Sequence, residues 1–158
     1  MNKVILVLCL LIPVGTILFV AAPAASAQPA ASEVEAIDRL FKASGNEYAR
    51  IGEKKDVFVV QAGSSSFYFS GGSGNLIGFS IIAKKENFKR TVDSLAACLT
   101  QNGNMDFMKL FLDDEGALAI RFERPLDSLG EKEFKFLVGQ LIGAEAESRE
   151  KLKAYLTK

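Results

Sequence analysis

The N-terminus has an uncharged run from Val4 to Ala22, directly after the positive charge of Lys3. This pattern is typical of a signal peptide, which is removed and does not become part of the folded domain. Small residues follow the run and include an A-x-A pattern, the form that signal peptidases cleave. We therefore predict that residues 1–27 are a signal peptide. The residues that define the cleavage site are Ala25, Ala27 and Gln28, with Gln28 as the first residue of the mature chain.

The same run allows one alternative, an uncleaved membrane anchor. About 19 apolar residues are just long enough to cross a hydrocarbon core of roughly 30 Å. Pro13 and Gly15 weaken a spanning helix, which favours cleavage. We therefore expect a periplasmic or secreted protein that is not held in a membrane once the signal is cleaved.

Cleavage would leave 131 of the 158 residues, which suits a single domain. The charges of this part nearly cancel, since without Lys3 there are 18 basic and 19 acidic residues. This balance argues against a nucleic-acid partner, which usually requires a basic excess. Cys98 is the only cysteine left, so an intramolecular disulfide is excluded and stability must come from the core.

The composition also argues against an enzyme. The chain has no histidine, so Cys98 lacks the usual activating base of a thiol nucleophile, and we interpret it as a small buried side chain on a helix. One thiol without imidazole cannot form a zinc site. Acid–base catalysis would fall to carboxylates, and no motif fixes a pair of them. We predict no catalytic, cofactor-binding or metal-binding residues; a carboxylate-dependent enzyme is the less favoured alternative.

Hydrophobic periodicity divides the mature chain into helices and strands. A short Ala/Pro spacer covers residues 28–32. Ser32 and Glu35 then form a capping-box pattern at the start of a helix over residues 33–43. Two or three short strands are predicted in residues 47–70, where β-branched and aromatic residues recur at a spacing of two.

Turn residues separate the elements that follow. The glycine-rich segment 71–75 is interpreted as a hairpin loop, because another strand, 76–83, follows it instead of a helix. A second helix is predicted over residues 86–101, ended by the Asn-Gly-Asn sequence at 102–104. The acidic segment 113–116 is interpreted as the turn of a second hairpin, because it lacks the alternating oxygen ligands of a calcium loop.

A last helix, predicted over residues 131–156, completes the order α-β-β-β-α-β-β-α. Helices segregated to one side of an antiparallel sheet are the expected packing for such an order. We therefore predict an α+β domain in which three helices pack on an antiparallel sheet.

Three local patterns occur in the predicted domain, residues 33–158. They are the strand pair Phe67–Phe69 and Leu76–Phe79, the helix stop Asn102–Asn104 ahead of the strand Met105–Leu112, and the turn Asp113–Gly116 with its Pro125-Leu126 exit. In these patterns the chain resembles the YbjN family, and the resemblance extends over nearly all of residues 33–156. The resemblance implies a fold like that of the type III secretion chaperones. It also implies a non-enzymatic domain that binds other proteins, often pairs with itself and is loosely associated with sensory transduction. The signal peptide is a departure, so action in the periplasm or outside the cell is expected.

The candidate contact residues lie in the C-terminal half, which is rich in phenylalanine. One sheet face and three helices are not expected to bury every ring, and an uncovered apolar patch marks a partner site. Two glycines, four residues apart on the last helix, would let another helix approach closely; the neighbour is either the protein's own sheet or a second subunit. The candidate residues are Phe107, Phe111, Phe134, Gly139 and Gly143.

These observations together predict an exported, non-enzymatic protein-binding or chaperone-like regulatory module that forms a homodimer or binds another protein. The alternative is a small-molecule or lipid sensor with a pocket between sheet and helices lined by Phe and Ile. An exposed apolar groove would favour the first function, and a closed apolar cavity the second.

Overall fold

The computed structural model describes residues 30–157, so the predicted signal peptide and its cleavage residues lie outside the described part. The helices are α1 (Ala31–Ser44), α2 (Val92–Gly103) and α3 (Glu131–Leu152). The strands are β1 (Ala49–Ile51), β2 (Val57–Ala62), β3 (Ser65–Gly72), β4 (Asn75–Ala83), β5 (Lys109–Leu112) and β6 (Leu118–Pro125). None of the helices in residues 30–157 is long and apolar enough to cross a membrane.

The predicted α+β class is confirmed, and the strands form one antiparallel sheet of six in the order β1-β2-β3-β4-β6-β5. Four strands precede α2, one more than the expected order has. The additional strand is β1, three exposed residues that pair with β2 at the edge of the sheet. A segment this short and exposed carries no alternating apolar pattern, so periodicity alone does not define it.

The glycine-rich segment is a hairpin turn, as predicted. β3 and β4 are joined by Ser73 and Gly74, which have φ angles of +53° and +81°. Two central residues with positive φ are typical of a type I′ turn, whose twist matches that of the flanking strands. Ser73 adopts this left-handed conformation although it carries a side chain, and Gly74 adopts it without steric cost.

The first helix begins earlier than its capping pattern predicts. Its N-cap is Ala30 and not Ser32. Glu33, not Glu35, closes the first turn, because one of its carboxylate oxygens accepts a hydrogen bond from the N–H of Ala30 at 2.9 Å. The other oxygen accepts from the N–H of Gly74 at 2.6 Å, which ties the start of α1 to the β3–β4 turn.

The second helix begins at Val92, later than the predicted start at residue 86. Lys85–Asn87 form a separate 3-10 turn. Thr91 is the N-cap of α2, and its hydroxyl accepts a hydrogen bond from the N–H of Ser94 at 3.1 Å. The helix ends at Gly103, within the predicted Asn-Gly-Asn stop. The third helix ends at Leu152 and is followed by a 3-10 turn, where the prediction had one continuous helix.

Aromatic rings fill the space between the sheet and the helices. Phe41 of α1 and Phe134 of α3 meet edge to face with 4.8 Å between ring centroids, and both rings contact Phe69. Gly78 provides the room for this packing. It pairs with Phe69 on one side and Phe122 on the other, and a Cβ there would lie 2.4 Å from the Phe122 ring.

A buried carboxylate ties α3 to the sheet. Glu145 is 3% exposed, and the hydroxyl of Ser65 donates a hydrogen bond to it at 3.0 Å. The Nε of Arg149 donates to the same oxygen, and a second nitrogen of this side chain donates to the carbonyl of Ile81 at 2.9 Å. A buried charge is tolerated only when it is paired and hydrogen-bonded, and these contacts meet that requirement.

Candidate partner-binding surfaces

One of the five predicted contact residues is wrong. Phe134 is 0% exposed, and its ring packs against Phe41 and Phe69, so it cannot reach a partner while the domain is folded. The helical period explains the error, since Phe134 lies on the side of α3 that faces the sheet. The outward-facing phenylalanine of this helix is Phe136, which is 53% exposed.

The other two predicted phenylalanines lie at the surface near β5. Phe107, in the connection between α2 and β5, is 46% exposed, and the guanidinium of Arg124 lies 4.3 Å from its ring centroid. Phe111 is half-buried in β5 with the guanidinium of Arg121 at 5.2 Å. Cations at these distances attract an aromatic face, so both rings are partly covered by the protein's own arginines.

The two predicted glycines lie on the outer side of α3. A Cβ built on Gly139 or Gly143 would meet nothing within 4 Å. The protein's own sheet is therefore not the neighbour that these glycines admit.

A surface groove of about 420 Å³ brings most of the predicted contact residues together. One wall is the connection that contains Phe107, and the other is the outer side of α3. Its lining includes Phe107, Phe136, Gly139, Gly143 and Glu147. Phe107 also lines a second groove that continues to Phe111 and Arg121 on the sheet.

The two most exposed large apolar side chains in the described residues, Val92 and Leu99, are on α2, where no contact residue was predicted. Val92, Leu95 and Leu99 are 83%, 42% and 71% exposed. Their spacing of three and four places them on one side of the helix, which we call the α2 stripe. The opposite side, which packs on the protein, carries Ser94, Cys98 and Gln101.

Periodicity alone could not have shown which way the α2 stripe points. The spacing of the apolar residues predicts a helix with one apolar side, and such a side normally faces the core. The sequence nevertheless contained a signal for this orientation. The small and polar residues Ser94, Cys98 and Gln101 also recur at helical spacing, and this side of α2 is the one that packs beside β5 and α3. A helix that buries Ser94 and exposes Leu99 is typical of an interface helix.

Charged side chains form one network that joins α1 to the start of the sheet. The hydroxyl of Tyr48 donates to Asp38 at 2.8 Å, and Lys42 pairs with the same carboxylate. Arg50 lies 3.9 Å from it. The hydrogen bond from Lys42 is the main cause that lowers the pKa of Asp38, and the hydrogen bond to Asp38 raises the pKa of Tyr48. The network is a structural link between α1 and β1.

Cys98 and the acidic side chains of residues 30–157 show neither an activated thiol nor a cluster that could hold a metal ion. Cys98 is 8% exposed on α2, as the sequence predicted, and burial raises the pKa of its thiol. A raised pKa lowers the fraction of thiolate, which is the reactive form. Within residues 30–157, no group of three or more His, Cys, Asp or Glu side chains converges in a way that could hold a metal ion.

Side chains fill the interior between the sheet and the helices. The alternative prediction, a small-molecule or lipid sensor, required a ligand pocket at this place. Its central positions are held by fully buried residues such as Phe58, Phe67 and Ile120. The grooves of the described part are open to the surface, and one of about 550 Å³ lies beside α1 next to Leu40, Leu126 and Leu129. A surface groove beside a helix fits a chain segment better than an enclosed small molecule.

No protein-family model matches the sequence, and no curated protein matches it. Solved structures do match the fold. YbjN from E. coli is 14% identical with a TM-score of 0.55, and the match covers 76% of this chain and 89% of that one. This resemblance was expected from the sequence, and it is confirmed at the level of the fold.

Type III secretion chaperones also share the fold. SycH of Yersinia pestis, solved in complex with a stable fragment of YscM2, is 10% identical with a TM-score of 0.54 over 73% of this chain and 98% of that chain. The ExoU–SpcU complex of Pseudomonas aeruginosa contains a chain that is 16% identical, with a TM-score of 0.54 over 76% of this chain and 97% of that chain. The chain therefore has the type III secretion chaperone-like fold.

Proposed function

We propose that this protein is an exported, non-enzymatic, chaperone-like module that binds another protein in the periplasm or outside the cell. The observation that carries the proposal is the α2 stripe, three large apolar side chains that point into solvent from one side of a helix. Soluble proteins rarely expose such a continuous apolar surface unless a partner covers it.

The residues on the inward side of α2 support a binding role for the α2 stripe, because they explain why its apolar side chains are not buried instead. Its inward side is small or polar, so turning the helix to bury Leu99 would expose Cys98 and place Ser94 in solvent. The cap at Thr91 and the stop at Gly103 fix the ends of the helix and hold the stripe in place. A preorganised apolar face reduces the ordering cost of binding.

The fold supports the same function by analogy. The matched structures of SycH and of the ExoU–SpcU pair are complexes with protein partners. Fold alone does not transfer a function, so the proposal for this chain depends on its own exposed residues. Its predicted signal peptide distinguishes it from chaperones that act in the cytoplasm, and the partner is expected to be a protein that is itself exported.

Partner binding can be tested by pull-down from a periplasmic extract of the source organism. Val92→Lys combined with Leu99→Lys should abolish capture of a specific protein, because both changes place charge on the stripe without touching the core. Thr100→Lys is the matched control, since Thr100 is exposed on α2 beside Leu99. Equal capture by both variants would exclude the α2 stripe as the binding surface.

Export requires a separate test. The full chain is expressed with a C-terminal tag, the cells are fractionated and the intact mass of the tagged protein is measured. A periplasmic or secreted species that begins at Gln28 supports the proposal. Retention of the full-length chain in the membrane fraction would instead indicate the anchor, and a cytoplasmic full-length chain would exclude export.

A further inference from the structure

The sequence contains one Asn-Gly pair, Asn102-Gly103, and it lies in the last turn of α2. In such a pair the main chain readily attacks the preceding side-chain amide, because glycine has no Cβ to hinder the approach. The other asparagines, at positions 2, 46, 75, 87 and 104, are each followed by a residue with a larger side chain. Spontaneous deamidation of this chain is therefore expected first at Asn102.

The reaction needs only water as a co-reactant. The main-chain nitrogen of Gly103 gives up its proton and forms a bond to Cγ of Asn102, while the Cγ–Nδ2 bond breaks and Nδ2 takes up a proton and leaves as ammonia. Water then opens the cyclic imide by adding to one of its two carbonyl carbons. One opening leaves an aspartate side chain, and the other leaves an isoaspartate, in which the main chain runs through the former side chain.

Two features of the folded chain oppose this reaction. Ring closure requires Cβ of Asn102 and the nitrogen of Gly103 to eclipse each other about the Cα–C bond, and a helical ψ angle keeps them apart. The side-chain amide is also held, because its Oδ1 accepts from the N–H of Leu110 at 2.6 Å and its Nδ2 donates to the carbonyl of Leu110 at 3.0 Å. The end of α2 must therefore unwind and separate from β5 before the ring can close.

We propose that Asn102 is a deamidation site whose rate is set by the opening of the contact between α2 and β5. Helix ends fray, and both Gly103 and Asn104 are exposed. Lys109 opposes the opening, since its Nζ donates to the carbonyls of Asn102 and Met105 at 2.9 and 2.7 Å. Lys109 is itself exposed, so its bonds can be removed without a change to the core.

Deamidation replaces an attraction in this contact by a repulsion. Where Nδ2 now donates to the carbonyl of Leu110 at 3.0 Å, the product has a carboxylate oxygen. Two acceptors that face each other without a proton between them lose the hydrogen bond and keep the cost of desolvation. The isoaspartate product also lengthens the main chain between Asn102 and Gly103. A modified chain therefore holds Leu110 less firmly, and refolding does not reverse the change.

This inference goes beyond partner binding and does not rest on it. The measurements that test it follow a covalent change and the exchange of a β5 amide, and none of them requires the capture of another protein. The outcome is therefore independent of whether the α2 stripe binds a partner.

The first experiment uses the chain that starts at Gln28, whose residues 30–157 contain the sheet, the helices and their shared core. It is incubated at one mildly alkaline pH in native buffer and in denaturant. Peptide mapping by mass spectrometry follows the conversion of amide to acid at each asparagine, and a methyltransferase specific for isoaspartate labels the second product. In denaturant, Asn102 should react faster than Asn75 and Asn104. In native buffer its rate should be at least about tenfold lower, because local opening must precede ring closure. Equal rates in the two states would overturn the inference, as would faster reaction of another asparagine in denaturant.

The second experiment tests the attacking nitrogen. A Cβ at Gly103 would meet nothing within 4 Å, so the folded domain accepts Gly103→Ala, and the hydrogen bonds between Asn102 and Leu110 are retained. In denaturant, Gly103→Ala should slow deamidation of Asn102 by about tenfold or more, because the added methyl group hinders the approach of the nitrogen. An unchanged rate would exclude reaction through the Gly103 nitrogen.

The third experiment tests the control by the fold. Lys109→Ala should raise the native rate at Asn102 by about two- to tenfold, the range expected for the loss of hydrogen bonds of ordinary strength, and leave the rate in denaturant unchanged. Lys135→Ala, at an exposed lysine of α3, is the matched control and should leave both rates unchanged. The purified deamidated protein should also show faster amide hydrogen exchange at Leu110 than the unmodified protein. Equal native rates for the two lysine variants, or equal exchange at Leu110 before and after deamidation, would contradict the proposed role of the contact between α2 and β5.

Discussion

The side-chain amide of Asn102 makes the two hydrogen bonds with the backbone of Leu110 that a neighbouring strand would otherwise make. Its Oδ1 accepts a hydrogen bond from the N–H of Leu110 at 2.6 Å, and its Nδ2 donates to the carbonyl of Leu110 at 3.0 Å. Lys109 adds to this link, since its Nζ donates to the carbonyls of Asn102 and Met105 at 2.9 and 2.7 Å. The end of α2 is thereby joined to the edge of the sheet through one amide group.

The first prediction concerns this amide. Asn102→Ala should lower the free energy of unfolding by about 1–3 kcal/mol, because it removes two hydrogen bonds and leaves the N–H and carbonyl of Leu110 without their partner. Urea unfolding measures the loss, and amide hydrogen exchange should show faster exchange at Leu110. Asn104→Ala, at an exposed site two residues on, should change stability by less than about 0.5 kcal/mol. Equal effects of the two variants would show that the amide does not secure β5.

The second prediction contrasts two glycines. Gly78→Ala should destabilise the domain by about 1–3 kcal/mol, because its methyl group would lie 2.4 Å from the buried ring of Phe122 and 3.0 Å from that of Phe69. Gly143→Ala should instead stabilise a single chain by about 0.5–1 kcal/mol, because its methyl group meets nothing within 4 Å and alanine favours a helix. Urea unfolding of each variant at low protein concentration checks both signs. A stable Gly78→Ala variant would mean that the two rings can move apart.

The third prediction concerns acid stability. The pKa of Asp38 is lowered from its ordinary value of 3.8, so the folded state favours the carboxylate. This contribution is fully present above the unfolded pKa and is lost as the pH falls through the folded one. Asp38→Asn should therefore lower the unfolding free energy by about 1 kcal/mol at neutral pH, and the difference from wild type should shrink below about pH 4.

The control for this experiment is Tyr48→Phe, which removes one hydrogen bond and keeps the carboxylate with Lys42. It should retain most of the pH dependence, because Lys42 is the main cause of the lowered pKa. Thermal unfolding of the three proteins between neutral and acid pH measures the effect. A difference between wild type and Asp38→Asn that is independent of pH would contradict the assignment.

The fourth prediction concerns Cys98. Burial raises the pKa of this thiol above its ordinary value of 9.0, so little thiolate is present at neutral pH in the folded state. In the chain that starts at Gln28, a thiol reagent should react slowly under native conditions and rapidly in denaturant. The native rate should rise only as pH approaches the raised pKa or as the domain opens. Fast native reaction would show that the α2–α3 contact opens readily.

Turn chemistry made the hairpins and the end of α2 predictable from sequence. The Gly71–Asn75 segment contains Gly74, which suits the left-handed position of the turn, and this preference is local. The Asn102–Asn104 stop ended α2 as predicted, although Asn104 is right-handed with a φ of −96°. The class of the sheet followed from the order of the elements. The sequence left open two or three strands in residues 47–70, and the structure has three, of which β1 is the one that the predicted order lacks. The true start of α1 was missed, because it depends on a partner distant in sequence, Gly74 for Glu33.

The direction of each apolar face was less predictable than its existence. The spacing on α2 predicted an apolar side but not that Leu99 meets solvent, whereas the spacing on α3 did place Phe134 on the side that is buried against Phe41. The burial of Glu145 was missed for a related reason, since it depends on Ser65, 80 residues away, and on Arg149. From sequence alone a charged residue is expected at the surface. It can be buried only where the folded chain provides hydrogen-bonding or oppositely charged partners.

The two edges of the sheet differ in a way that limits how large an assembly it can form. β1 lies at one edge with three exposed residues, and β5 lies at the other with Leu110 already bonded to Asn102. A fibril requires each copy to receive a strand at one edge and offer the other edge to the next copy. A domain with a single available edge can pair through it with one other domain. The resulting pair has no free edge to which a third domain could add. The amide of Asn102 thus occupies the outward backbone groups of Leu110 and opposes the addition of a strand at this edge.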